Sequence, residues 1–389
     1  MFDGMPSDRL KIYVADGLRH RNLSGYGMLA RNLILGLAAL GHDVRLRASD
    51  REWGNIEQGA RERLQALPQV TNIDFADIVL QISVPMSCGR YHKPSLIYTQ
   101  NALGELPPDW IEALAAADGV IVPSQFDRAV FARHFSHVSV AGQSSDPAIF
   151  KPVSGWRQEG SERFTFLFVG SYSFRKGVDL LLEAFLTEFS PEEPVELLLQ
   201  TPGAGRGDEF NHCLRTIQKF NPLGQVRLRG NELAPEWMNR LYNQCDCVIT
   251  MSRGEGWCMP LTEALLCGRP VIAPRSTAMA EYLDDSGGEL VETRELPASE
   301  APAPFGSGFA KVYGFPGVTY NEPDISRARV AMRRVYEDHP AALEKARAGR
   351  NQILTQYSWS NAARQVERAC LSLLSEQPAI ANAATGQRG

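Results

Sequence analysis

Residues 245–274 limit what this chain can fold into more than any other stretch. Cys245-Asp246-Cys247-Val248-Ile249-Thr250-Met251 is an apolar run bounded by polar residues, as expected of a strand covered on both faces. Ser252-Arg253-Gly254-Glu255-Gly256-Trp257-Cys258 follows as a glycine loop. Met259-Pro260 then opens a short helix, because proline costs nothing in the first turn, where its missing N–H has no intrahelical partner. Gly268 suits the residue just past the helix end. Pro270 stops any continuation, and Val271-Ile272-Ala273-Pro274 begins another strand.

Strand, glycine loop and helix N-terminus together favour an anion, since the backbone comes close and free N–H groups point outward. Two carboxylates share this place: Glu255 in the loop and Glu263 in the first turn of the helix. Carboxylates repel a phosphate unless they reach past it and accept hydrogen bonds from hydroxyls. The combination suggests a ligand carrying both a diphosphate and sugars. The plainer alternative is that Glu263 complements a helix N-terminus and Glu255 is solvated.

The same strand-to-helix alternation runs along the whole chain. A strand at 10–15 leads through a polar loop, 16–24, to Gly25-Tyr26-Gly27 and a helix at 28–40, then to a strand at 42–46. Strands at 77–84, 95–98 and 119–122 follow, with a helical segment at 108–117. Ser124 is placed to cap a helix at 125–135. Residues 150–163 lack periodicity and read as a linker. The plan then restarts with a strand at 164–169 and a helix at 178–189. Strands at 195–200, 225–229 and 247–250 alternate with helices at 208–220 and 234–244. Between them Arg175-Lys176-Gly177 puts two cations at a strand-to-helix turn, beside the expected anion site. Ligands of open α/β sheets bind at the carboxyl edge of the strands. Residues 292–318, rich in Pro, Gly, Ala and Ser, read as a mobile surface insertion. A long helical pattern covers 324–356, a last helix 361–374, and the tail beyond 377 reads as disordered.

At 389 residues two domains are expected. A net charge of −5 provides no basic field for nucleic acid. The seven cysteines are scattered without a C-x-x-C pair, which fits reduced thiols and a cytoplasmic setting. No metal-ligand spacing is visible, and no stretch approaches the roughly 20 apolar residues of a membrane span.

With these residues assembled, the chain resembles the retaining glycosyltransferases of GT-B fold, in particular the large family 4, or group 1, class. Glu255, Gly256, Pro260, Glu263 and Ala264 match the family's E-x7-E motif. Arg175-Lys176-Gly177 resembles its R-K-G, and Gly25-x-Gly27 its N-terminal glycine loop. Ser124, Asp146, Phe150, Pro152 and Ser358-Trp359 match further markers.

The resemblance implies two Rossmann-like, doubly wound parallel-sheet domains facing a cleft. Residues 1–155, completed by 358–376, would form the acceptor domain, and 156–357 the donor domain. It implies transfer from a nucleotide-diphosphate-sugar, a co-substrate rather than a cofactor, to a sugar, glycan or glycolipid hydroxyl. Configuration would be retained, without a metal, and peripheral membrane association is compatible with such acceptors. Lys176 and Arg175 would bind the diphosphate, Glu255 a donor-sugar hydroxyl and Glu263 the ribose. Gly25, Gly27, Ser171 and the backbone of Gly256, Trp257 and Cys258 would complete the donor site. Asn231 and Leu233 would border the base, and Glu281 lies near the donor in some relatives.

Two departures stand out. Ser171 occupies a position where many relatives carry arginine. No histidine is placed like the one many relatives have in the first domain; His20 and His92 are the loop candidates. Two alternatives therefore stay open: a GT-B epimerase or phosphorylase, and a nucleotide-sugar-binding protein without turnover.

Overall fold

A computed structural model describes residues 9–15, 19–21, 24–49, 53–54, 56–154, 163–201, 215, 224–303 and 306–385. The chain forms two compact units. The first comprises 1–100, 108–143 and 359–389. The second comprises 144–358 together with 101–107. The chain thus changes unit between Gln143 and Ser144, ahead of the 155/156 boundary read from sequence. It also lends Asn101–Pro107 to the second unit, an excursion that no composition shift marks.

The first unit is built on a seven-stranded parallel sheet of order β3-β2-β1-β4-β5-β6-β7. Its strands are β1 Lys11–Ala15, β2 Asp43–Arg47, β3 Gln69–Val70, β4 Ile78–Ile82, β5 Ser95–Tyr98, β6 Gly119–Val122 and β7 Val138–Val140. β4, β5 and β6 are buried along their whole length, which is why they read as unbroken apolar runs. Helix Gly25–Ala39 buries Leu29, Ala30, Leu33, Ile34 and Leu37, the helical spacing of one face. Ser24 caps it by accepting from the Gly27 N–H at 3.0 Å. Ser124 does the same for helix Gln125–Phe131 through the Asp127 N–H. Helix Trp359–Thr385 returns to this unit and lies against helix Gly25–Ala39. Gly36 permits the close approach: a Cβ there would stand 2.8 Å from the Cβ of Ala363. The helix continues past 377, where composition alone predicts disorder.

The second unit has a six-stranded parallel sheet of order β10-β9-β8-β11-β12-β13. Its strands are β8 Phe164–Val169, β9 Val195–Gln200, β10 Val226–Arg229, β11 Cys247–Ile249, β12 Val271–Pro274 and β13 Glu289–Val291. The strand order proceeds outward from β8 to β9 and β10, then reverses to β11 on the other side of β8. The reversal point of a doubly wound sheet, here between β8 and β11, is where its loops diverge and leave room for a ligand. The helix predicted at 208–220 and most of the linker at 150–163 lie outside the described residues.

Two expectations need correction. The segment 292–318 is a built element rather than a loose insertion. Strands β14 Thr293–Pro297 and β15 Thr319–Pro323 pair antiparallel, and helix Ser307–Tyr313 lies between them. Phe309, Val318 and Tyr320 bury themselves against Phe174 and Leu103. Phe309 and Tyr313 stand four residues apart at helical spacing, but Phe174 and Leu103, against which the segment packs, are remote in sequence, so only the fold reveals the cluster. The long pattern at 324–356 is two helices, Ile325–Glu337 and His339–Gln356. Pro340 cannot continue the first. Asp338 leaves helical geometry and caps the second by accepting from the Ala341 N–H.

Candidate functional site

The loops after β8 and β11 flank the reversal point and meet. Phe174–Lys176 forms a single 3-10 turn closed by Gly177 at φ 64°. A side chain on Gly177 would place its Cβ 1.8 Å from the Met251 carbonyl oxygen, so the two loops touch backbone to backbone here. The Arg253 N–H donates to the Arg175 carbonyl at 2.7 Å. This contact carries Lys176 and Arg175 onto the loop that follows β11.

Glu255 is the meeting point of charges. Lys176 Nζ lies 2.6 Å from its Oε1 and Arg175 Nη1 lies 3.1 Å from its Oε2. Ser252 Oγ donates to Oε1 at 2.8 Å. Burial alone raises the pKa of a carboxyl, but Lys176 and Arg175 outweigh it here and hold Glu255 down at about 2. Arg175 also donates to the Gly254 carbonyl at 2.7 Å. The lysine stem runs past Gly170; a Cβ on that glycine would stand 3.6 Å from the lysine Cδ and Cε.

Glu263 is the fifth residue of helix Met259–Leu266, beyond the first turn expected from the sequence, and has a different environment. It is buried, and the Tyr242 hydroxyl donates to its Oε2 at 2.7 Å. Burial raises its pKa to about 7, and the tyrosine hydrogen bond opposes the rise without cancelling it. The two glutamates of the motif are therefore tuned in opposite directions. One is a fixed anion and the other stands near its titration midpoint at neutral pH. The unfolded carboxyl releases its proton near 4.5 while the folded one keeps it until about 7. Stability is accordingly full below 4.5 and falls as pH rises through 7. Glu263→Gln keeps a hydrogen-bond acceptor for Tyr242 and removes that charge. The variant is expected to be more stable than the parent at pH 8 by roughly 1–3 kcal/mol, with the gap closing at pH 4. Thermal midpoints at the two pH values check this.

Among the other residues singled out from sequence, Gly256, Trp257 and Cys258 lie buried in the same loop. Trp257 packs on Tyr282 with ring centroids 4.8 Å apart, and on Tyr357. Cys258 takes φ 74° as the residue before the helix, with no side-chain cap. Burial pushes its thiol up to about 12, so it is an inert thiol. Leu233 packs against the cluster that holds Trp257 and Cys258. Asn231 is exposed, and its carbonyl accepts from Gln200 Nε2 at 2.6 Å. Ser171 is exposed directly after Gly170. The Glu281 carbonyl accepts from the Tyr357 hydroxyl at 3.5 Å.

Gly25 and Gly27 belong to the first unit. They form the opening turn of a helix rather than a free loop, and the Gly27 N–H is engaged by Ser24. The loop at 16–24 lies partly outside the described residues. His20 is buried against Trp53, and His92 is exposed with Nε2 3.0 Å from Asp74. Among the described residues no group of three or more His, Cys, Asp and Glu is placed to hold a metal ion. None of the described helices is long and apolar enough to cross a membrane.

Sequence reasoning passed over Arg253, which the fold makes central. Its guanidinium is fully buried. Nη1 and Nη2 donate to Asp179 at 2.8 and 2.7 Å, Nε donates to Glu322, and the plane lies 3.7 Å from the Phe174 ring centroid. Its carbonyl accepts from Asn321 at 2.9 Å. Asp179 and Glu322 stand 74 and 69 residues away, so no local signal could pair them. Gly254, next in the loop, backs onto the Ala102 carbonyl so closely that a Cβ would lie 1.8 Å from it.

Residues 163–303 match the family Glycosyl transferases group 1. The lipopolysaccharide 1,2-N-acetylglucosaminetransferase of Salmonella typhimurium is 24% identical over 64% of this chain and 60% of its own length. The O-antigen chain mannosyltransferase B of Escherichia coli is 26% identical over 52% of this chain and 53% of its own length. The chain thus spans less than two thirds of these curated relatives. Among solved structures, sucrose-phosphate synthase from Thermosynechococcus elongatus superposes with a TM-score of 0.69 at 17% identity, covering 95% of this chain and all of that one. Anabaena HepE in complex with UDP and glucose superposes at 0.67 with 14% identity, over 94% and 100%. The segment that matches the family contains the ion-paired loop itself, and the likeness to these solved structures shows that the chain has their two-sheet GT-B fold.

Proposed function

We propose that this protein transfers a sugar from a nucleotide-diphosphate-sugar to a hydroxyl acceptor with retention of configuration, using no metal. The observation that carries this reading is the cluster of Lys176, Arg175 and Glu255 at the reversal point of the second sheet, ahead of the N-terminus of helix Met259–Leu266. Breaking a glycosyl–phosphate bond builds negative charge on the leaving diphosphate. Two cations and a helix N-terminus supply fixed stabilisation for that charge without a metal ion. In this reading the carboxylate of Glu255 accepts a hydrogen bond from a donor-sugar hydroxyl, and Glu263 accepts from the ribose hydroxyls.

Retention through a protein nucleophile needs a carboxylate facing the anomeric carbon. Glu255 is unsuited to that task, because Lys176, Arg175 and Ser252 already hold it as a low-basicity anion. Transfer on the face the diphosphate leaves, with a leaving phosphate oxygen taking the acceptor proton, needs no such nucleophile. Relatives named for lipopolysaccharide and O-antigen sugars suggest a glycan or glycolipid acceptor. The structural neighbour bound to UDP and glucose suggests a nucleotide-sugar donor.

Calorimetric titration with a panel of UDP-, GDP- and ADP-sugars tests the reading. One donor is expected to bind well above the others. Product analysis with that donor should then show a free nucleoside diphosphate only when an acceptor is present, which an epimerase or a phosphorylase would not give. Absence of binding across the panel would refute the proposal.

A further inference from the structure

The turn after β12 contains a residue whose conformation calls for an explanation. Among the described non-glycine residues, Cys258 and Thr277 have positive φ, 74° and 52°. Left-handed backbone crowds Cβ against the neighbouring carbonyl, and a β-branched side chain suffers most. Such a residue persists only where its surroundings over-determine it, and these positions gather at functional sites. Glycine at 277 would relieve the crowding, so the threonine side chain must contribute something that glycine lacks.

That contribution is a hydrogen bond to the Glu255 loop. Thr277 is 8% exposed, and its Oγ1 accepts from the Glu255 N–H at 3.2 Å. One residue later the Ala278 N–H donates to the Glu255 carbonyl at 3.4 Å. The peptide groups on both sides of the Glu255 Cα are thus docked on one turn. The carboxylate is fixed separately, by Lys176, Arg175 and Ser252. Cys258, the other strained residue, lies three positions beyond Glu255.

We propose that Thr277 is a positioning residue for Glu255. Its hydroxyl sets the placement of the glutamate backbone, and through it the protein's grip on the donor sugar as distinct from the nucleotide. The inference rests on the reading of Glu255 as partner of a donor-sugar hydroxyl. It adds a specificity element from the 276–278 turn, which no motif contains.

The test compares UDP-glucose with UDP, and GDP-mannose with GDP, by calorimetry on the full chain. Thr277→Val keeps the shape and removes the hydroxyl, Thr277→Ser keeps the hydroxyl, and Thr277→Gly removes the strain. For the sugar nucleotide that the parent prefers, Thr277→Val is expected to bind about tenfold more weakly, the size of one lost hydrogen bond. Its affinity for the matching nucleoside diphosphate should be unchanged, and Thr277→Ser should restore the difference. Thr277→Gly should show the same tenfold loss with a thermal midpoint equal to or above the parent's. Parental sugar-nucleotide binding by Thr277→Val would overturn the inference. So would an equal loss for the nucleoside diphosphate, which would mark a merely structural residue. A parent protein that gains nothing from the sugar in either pair would sink the functional reading itself, before any variant is made.

Discussion

Glu255→Gln is expected to lower sugar transfer by on the order of 10²–10³-fold while nucleoside diphosphate binding strengthens. Losses of that size follow removal of one preorganised group from a site that stabilises developing charge. The opposite response of the product follows from the ion pairs. In the free protein Lys176 and Arg175 are both engaged by the Glu255 carboxylate. An arriving diphosphate must share those cations with a fixed negative charge. Glutamine removes the competitor and leaves the cations to the phosphates, but it is a weaker acceptor for a sugar hydroxyl. Steady-state rates with the preferred donor, together with calorimetry on its nucleoside diphosphate, check both halves. The parent also has a stability contribution that is present above 4.5 and lost as pH falls toward 2, because its folded carboxylate is held at about 2. The glutamine variant should lack that acid-side decline. Full turnover in Glu255→Gln would remove this residue from the site.

The largest expected loss of stability belongs to Arg253→Ala. Breaking a buried ion pair by deleting one partner leaves the others desolvated and unpaired, at a cost of about 3–5 kcal/mol. Here the deletion strands Asp179 and Glu322 and takes the guanidinium off the Phe174 ring. It also removes the side-chain tie from the Glu255 loop to Glu322 of β15, while the backbone bond from the Asn321 N–H stays. Arg253→Lys retains the charge but not the planar fork that serves two carboxylates at once, so it should recover only part of the loss. Differential scanning calorimetry of the two variants and the parent checks this order. A midpoint for Arg253→Ala within a degree of the parent would show that the cluster stabilises little.

How far the sequence reaches differs from residue to residue for physical reasons. Ser124, Pro260 and Gly268 were readable because each acts within a turn of where it stands. Ser124 satisfies a helix N–H group, Pro260 takes the first turn, and Gly268 takes φ 70° just past the end. Strands β4 to β6 and β8 were readable because burial on both faces leaves an unbroken apolar run. The break at Asp338 was missed although Pro340 announces it, since the apolar spacing of 324–356 carries straight across. The hairpin and helix within 293–323 were hidden by a composition of small and turn-forming residues. Their stability comes from Phe174 and Leu103, which are remote in sequence.

Local chemistry was enough to read two parallel-sheet domains and a pair of glutamates beside a glycine turn, because strand burial, helix capping and glycine loops act over a few residues. Folding in three dimensions settled what those groups do to one another. Glu255 became a fixed anion because Lys176, from a different strand end, reaches it, and Glu263 became a poised acid because its burial exceeds what one tyrosine hydrogen bond offsets. Electrostatic tuning depends on distance and desolvation, and neither is encoded at any single position in the chain.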